Sequence, residues 1–308
     1  MNQLSIVMYH YVRELKNSKY PRIKGLDLSG FRRQLDYLAK NFNLVTAEQV
    51  IACAKGEDNL PEKSCYLTFD DGYKDHIKYV LPELVSRKIQ GSFFIPVQPV
   101  VERDILDVNR IHFILAKTED YYKLAQELES LCLDRGLNHD ELETLKSDFT
   151  HPSRHDSREV MYVKHMLQHG LSEGMRKDIS SVLFDKYVGM TEKDFADELY
   201  LSVEDTKELI NSGMYVGSHG YRHLWLNRET VNSQRHEIDL SLKFLHDVGA
   251  RNNDWIMCYP YGAYNQDTLD LLKDRNCAAG LTTEVEEATV TKKGALELPR
   301  YDTNDFPQ

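Results

Sequence analysis

Nowhere does the 308-residue chain hold the roughly 20 uninterrupted apolar residues that a membrane helix needs, so no integral membrane segment is expected. Its amino terminus, "MNQLSIVMYHYV", lacks a basic n-region, a long apolar core and a small-residue cleavage site, so no secretory leader and a cytoplasmic location are expected. Cysteine is sparse and unpaired in pattern. The five residues Cys53, Cys65, Cys132, Cys258 and Cys277 are odd in number and form no CxxC, as reduced thiols would. Positive charge is in deficit, 38 Lys and Arg against 49 Asp and Glu, and the net charge of −11 argues against nucleic acid as a partner. Internal repeats and low-complexity tracts are absent too. What is present is ordinary for a globular protein, with 41% hydrophobic and 28% charged residues.

The first hundred residues alternate short apolar runs with helical patterns. "LSIVMY" (4–9), "CYLTF" (65–69) and "GSFFIP" (91–96) read as buried strands. Between them, Ser29 is expected to cap a helix through Phe31, Leu35, Leu38 and Phe42, and Pro82 to sit in the first turn of another. Strand–helix–strand order predicts a parallel sheet or barrel with covering helices. Residues 102–195 are helical by period, with hardly a strand candidate, and read as an insertion because alternation resumes afterwards. A capping box from Ser202 to Asp205 opens the next helix, which ends at Gly213. "MYVGSH" (214–219), "WIMCYPYG" (255–262) and "CAAGLTT" (277–283) supply further strands, with Asn265 capping the helix between the last two.

Three strand ends carry candidate chemistry. "YLTFDDG" (66–72) runs apolar residues into Asp70 and Asp71, a pair that suits a cap, a turn or half of a metal site. "SHGYRH" (218–223) sets His219 and His223 four apart, able to share one metal if a helical turn follows. His151/His155 and His165/His169 have the same spacing, but within the helical segment, where they read as solvated surface. Two imidazoles and one carboxylate leave a position open for water, and the second carboxylate is then free to act as a base. "CYPYG" (258–262) is a turn that can aim a backbone N–H at an oxyanion, or merely a turn. Tyr73, Tyr221, Trp225, Tyr259 and Tyr264 near these motifs are either sugar-stacking surfaces or packing residues.

In this order the three elements resemble the polysaccharide deacetylase family (the NodB-homology domain, carbohydrate esterase family four). "TFDDG" is similar to its first motif, "SHGYRH" to its second and "YPYG" to a variant of its third; "MYHYV" (8–12), "GSFFIP" and "LPRYD" (298–302) add to the likeness. The resemblance covers roughly residues 1–100 and 196–308. It implies an α/β fold, an irregular (β/α) barrel of about seven strands, with residues 1–308 as one catalytic domain and 102–195 as a helical insertion within it. It also implies a divalent metal, Zn2+ foremost, held by Asp71, His219 and His223, with Asp70 as general base and the Tyr261 N–H on the oxyanion. The implied reaction is removal of N-acetyl groups from sugars by a metal-activated water.

Two departures from the family pattern bear on the mechanism. No histidine follows His246, so the late Leu-x-His acid is missing, and Cys258 stands where an arginine usually orients the base. His10 is the candidate acid and Arg300 the candidate replacement for the arginine, each balanced against a purely structural role. The expected substrate is an N-acetylated carbohydrate inside the cell, such as a sugar-nucleotide or lipid-linked intermediate of surface-polysaccharide synthesis. The alternatives are hydrolysis of a formyl or other amide at the same site, and a catalytically silent glycan-binding protein.

Overall fold

The computed structural model of the chain describes residues 2–151 and 156–307. They separate into two compact units, one of residues 1–14, 25–103 and 197–308 and the other of residues 15–24 and 104–196. The first unit is built on seven strands: β1 (Gln3–Tyr9), β2 (Ser64–Asp70), β3 (Ser92–Ile95), β4 (Tyr215–Ser218), β5 (Trp255–Cys258), β6 (Cys277–Leu281) and β7 (Ala288–Thr289). They pair in the order β7-β1-β2-β3-β4-β5-β6, all parallel except β7 against β1. Short pieces at Asn43–Leu44 and Tyr301–Asp302 add to β2 and β1. The expected irregular barrel is realised as a curled half-barrel with covering helices.

Parallel strands buried on both faces read as near-continuous apolar runs, and β2 is buried at all seven positions. Its residues still divide by the two-residue period of a strand. Tyr66 joins Leu4, Ile6, Phe94, Ile256 and Cys258 in one buried cluster. Leu67 and Phe69 join Val7, Tyr9, Phe93 and Ile95 in another, beneath Phe31, Leu35 and Leu38 of helix Leu28–Asn41. Parity therefore places Thr68 and Asp70 on the Tyr66 side, towards Cys258.

Local signals mostly act where they were read. Ser202 and Asp205 form a capping box on helix Val203–Asn211, Asn265 caps helix Gln266–Lys273, and Pro82 lies in the first turn of helix Leu81–Arg87. Ser29 is a correction: the helix begins at Leu28, and the Asp27 side chain accepts from the Ser29 N–H at 3.0 Å. Asp27 pairs with Arg13 in a short parallel bridge, which keeps it extended as a cap must be, and leaves Ser29 inside the helix.

The second unit is helical. Asp107–Lys117, Tyr121–Asp134, His139–Phe149, Arg158–His165 and Glu173–Val188 bury Ile111, Ile114, Leu124, Leu128, Val163 and Leu183. Residues 15–24 belong to it because Tyr20 packs edge-on against Phe113 and Phe195, while Arg22 donates to the carbonyls of Ala116 and Lys117. Arg110, 1% exposed, is neutralised by a two-pronged bond to Glu192 at 3.0 and 2.8 Å. Among the described residues no helix is long and apolar enough to cross a membrane.

Candidate metal centre and active site

Three strands deliver the candidate residues, and at each the backbone turns sharply. Asp71 follows β2 with φ of 71°, His223 lies beyond β4 with φ of 59°, and Tyr261 lies beyond β5 with φ of 58°. Left-handed backbone at a non-glycine residue costs on the order of 1–3 kcal/mol and persists only where the surroundings enforce it. The neighbouring glycines make two of these turns possible. Gly72 has φ of +62°, and a Cβ there would meet Ile95 Cγ2 at 3.1 Å. Gly262 has φ of +66°, and a Cβ there would meet Thr283 Oγ1 at 2.2 Å. Between the two histidines, the fully buried Glu237 accepts the N–H groups of Tyr221 and Arg222 at 3.1 and 2.7 Å and the Arg222 Nε at 2.7 Å.

These turns bring together Asp71, His219 and His223, all at most 7% exposed. The Nε2 atoms of His219 and His223 each lie 3.4 Å from Asp71 Oδ1. That is long for a hydrogen bond. It is the spacing of ligands around a shared centre, since metal bonds of ~2.0 Å in tetrahedral array set donor atoms about 3.3 Å apart. Asp71 Oδ1 is buried with no hydrogen-bond partner. The outer atoms are engaged: His219 Nδ1 donates to the Cys258 carbonyl at 2.8 Å, and Asp71 Oδ2 accepts from the Tyr73 hydroxyl at 2.5 Å. An imidazole anchored through Nδ1 presents its Nε2 lone pair to an ion. The donor set and its spacing fit a divalent metal.

The electrostatics of the centre call for positive charge. Burial works against ionised Asp71, yet His219, His223 and His10 outweigh it and hold the carboxyl well below its usual range. Burial also opposes a charged His219, but the Cys258 and Asp71 interactions raise it well above the ordinary histidine value. Burial, then the charge on His219, pushes His223 down to about 3. A divalent ion held there would supply such charge with both imidazoles neutral.

Asp70, 1% exposed, is gripped by Arg300: Nη1 donates to Oδ1 at 3.0 Å and Nη2 lies 2.8 Å from Oδ2. The guanidinium is itself fixed through Nε to the Thr282 carbonyl at 2.8 Å and through Nη1 to Thr68 Oγ1 at 3.2 Å. Burial alone would raise the Asp70 pKa, but Arg300, then His219 and His10, bring it below the ordinary value. The Cys258 thiol donates to Asp70 Oδ2 at 3.3 Å. Asp70, His219 and Cys258 also lie close enough to be read as a second metal-ligand group. A cation is disfavoured there, because Arg300 already engages both Asp70 oxygens and burial pushes the thiol pKa up.

His10, half-buried after β1, interacts electrostatically with Asp70, Asp71 and His223. Its carbonyl accepts from Nε2 of the buried His76 at 3.0 Å. The Tyr261 ring meets His223 edge-on at 4.6 Å and stacks on Trp225 at 4.3 Å. Not every aromatic near the motifs faces outward. Tyr73 and Tyr259 are fully buried, and Tyr259 donates its hydroxyl to the Leu296 carbonyl, so both are packing residues rather than sugar platforms. His155 lies outside the described residues, while His165 and His169 are half-buried around Phe149 at 5.4 and 5.3 Å and not solvated as expected. Sequence reading did not give roles to Glu237 or His76, since nothing in their local pattern marks a distant partner, nor to the Tyr73 hydroxyl, whose bond to Asp71 two residues earlier depends on the turn between them.

Comparison with known proteins follows the same motifs. Residues 184–280 match the model of the family described as polysaccharide deacetylase, a segment that holds the second and third motifs. A stretch of 95 residues is 34% identical to the putative polysaccharide deacetylase YxkH of Bacillus subtilis, covering 31% of this chain and 34% of that protein. The fold extends much further. The deacetylase PplD of Streptococcus pyogenes, solved with acetate, is 16% identical with a TM-score of 0.58 over 97% of this chain and 92% of that one. IcaB from Ammonifex degensii is 17% identical with a TM-score of 0.53 over 92% and 85%. Residues 184–280 thus resemble the polysaccharide deacetylase family in sequence, and the chain shares the fold of PplD and IcaB along nearly its whole length.

Proposed function

We propose that this protein is a metal-dependent hydrolase that removes the N-acetyl group from an N-acetylated sugar. The observation that carries the reading is the convergence of Asp71 Oδ1 with the Nε2 atoms of His219 and His223 at 3.4 Å, beside an Asp70 clamped by Arg300. Asp71, His219 and His223 would hold the ion, with Zn2+ first among the metals that suit two imidazoles and a carboxylate. Bound there, a divalent ion polarises an amide carbonyl and lowers the pKa of a water towards about 7.

The chain's own residues supply the remaining steps. Asp70, kept ionised and oriented by Arg300, takes the proton of the attacking water. The Tyr261 backbone N–H, in a turn of left-handed conformation after β5, donates to the oxygen on which negative charge develops. His10, which interacts electrostatically with the same carboxylates, returns a proton to the departing amine. Arg300 fills the place of the arginine that Cys258 replaces. Five free thiols fit a reducing compartment, and with it a cytoplasmic sugar-nucleotide or lipid-linked intermediate as substrate.

The test is to measure acid release from a panel of N-acetylated sugar nucleotides and oligosaccharides, with and without a chelator. Acetate release that stops on chelation and returns with zinc is the expected result. Release of formate or another acid in place of acetate would move the function to a different amide. A protein with no stoichiometric metal and no release from any substrate would be a silent glycan-binding fold.

A further inference from the structure

Tyr73 follows the Asp70-Asp71-Gly72 turn and is 0% exposed. Its hydroxyl donates to Asp71 Oδ2 at 2.5 Å, while Asp71 Oδ1 faces the two imidazoles. The ring cannot easily leave this position. It stacks on Tyr11 with centroids 4.1 Å apart and planes 20° apart, and on Tyr200 at 6.2 Å and 19°. The backbone is held as well. Tyr73 and Tyr200 form an antiparallel bridge, the Leu201 N–H donates to the Gly72 carbonyl at 2.8 Å, and Lys74 pairs with Asp205. Tyr73 is thus a rigid donor whose hydroxyl meets one oxygen of one carboxylate.

A carboxylate on a short side chain turns about a single soft torsion, and an ion can draw it from one-oxygen to two-oxygen coordination. A strong hydrogen bond to Oδ2 opposes that turn and leaves only Oδ1 for an ion. We infer that Tyr73 is a positioning residue that holds Asp71 as a one-oxygen ligand and so sets the affinity and coordination of the metal centre. The inference rests on the metal reading above and extends it to a residue that touches neither ion nor substrate. Phenylalanine keeps the ring, its stacking and nearly all its volume, so Tyr73→Phe isolates the hydroxyl.

The experiment titrates zinc into the metal-free full-length protein against a chelating competitor, and records the visible absorption of the cobalt(II)-loaded protein, which reports coordination. Tyr73→Phe should weaken zinc binding by about 10-fold or more, the usual effect of losing an outer partner of a ligand. Its cobalt spectrum should differ from that of the unaltered protein. Tyr200→Leu leaves the hydroxyl but loosens the stack, and should weaken zinc in the same direction by less; it carries the test should Tyr73→Phe not fold. Unchanged zinc affinity with an unchanged cobalt spectrum in the folded variant overturns the inference while leaving the metal reading intact. An unaltered protein that binds no stoichiometric zinc or cobalt overturns both.

Discussion

Arg300 reaches Asp70 from 230 positions further along the chain, and the pair is buried on both sides. Removing one partner from such a pair leaves an uncompensated charge, so Arg300→Met should destabilise the protein by about 3–5 kcal/mol in chemical denaturation. Its effect on pH dependence has a definite sign. Asp70 is held below its ordinary pKa, so its ionised form contributes stability above its unfolded-state pKa, and that contribution is lost as pH falls through the lower folded value. Without the guanidinium, burial is the largest influence left and raises the carboxyl, so the acid limb of kcat/KM should move to higher pH; Arg300→Lys should restore part of the shift. A limb that stays in place would show that Arg300 does not tune the base. His10→Gln tests the acid. Turnover should fall on the order of 10²-fold with little change in KM, and an unchanged rate would take His10 out of the mechanism.

Among the structural elements, the segment between the two histidines depends on a helix it does not belong to. Glu237, inside helix Val231–Asp247, accepts two backbone N–H groups and the Arg222 side chain. With those donors satisfied, His223 holds its left-handed backbone next to Asp71. Glu237→Leu would leave buried N–H groups unpaired and should cost about 1–3 kcal/mol in thermal or chemical unfolding. Zinc affinity should fall with it, because one ligand loses its backbone support. A variant that is less stable yet binds zinc as before would make Glu237 a purely structural residue. Strand β2 presents a simpler dependence: its two-residue period alone carries Thr68 and Asp70 to the Arg300 side and leaves Leu67 and Phe69 in the opposite core.

At the scale of the whole molecule, the centre concentrates charge in a dry site, with Asp70, Asp71, His219, His223 and Arg300 all at most 7% exposed. A metal that binds only the folded state stabilises it by mass action, about 2.7 kcal/mol at a free concentration 100 times Kd. Prolonged chelation should therefore lower the melting temperature as well as end activity, and zinc should restore both. A melting curve indifferent to chelator and to added zinc would speak against a native metal site. The helical unit has its own buried interior and a neutralised Arg110.

Much of this arrangement is legible in residue order. Apolar runs at 4–9, 65–69, 91–96, 214–219, 255–262 and 277–283 announce β1 to β6, because strands covered on both faces must be apolar throughout. The motifs announce which residues stand at their ends, since a turn that follows a strand is a local event. Distant pairing is not local. Arg300 is a candidate partner of Asp70 only through the family likeness, 230 positions away, and the reach of Glu237 to the Tyr221 and Arg222 backbone leaves no trace in spacing. Those contacts arise from strand order and from the parity with which each side chain leaves its strand, so sequence determined the candidates and tertiary structure decided their partners.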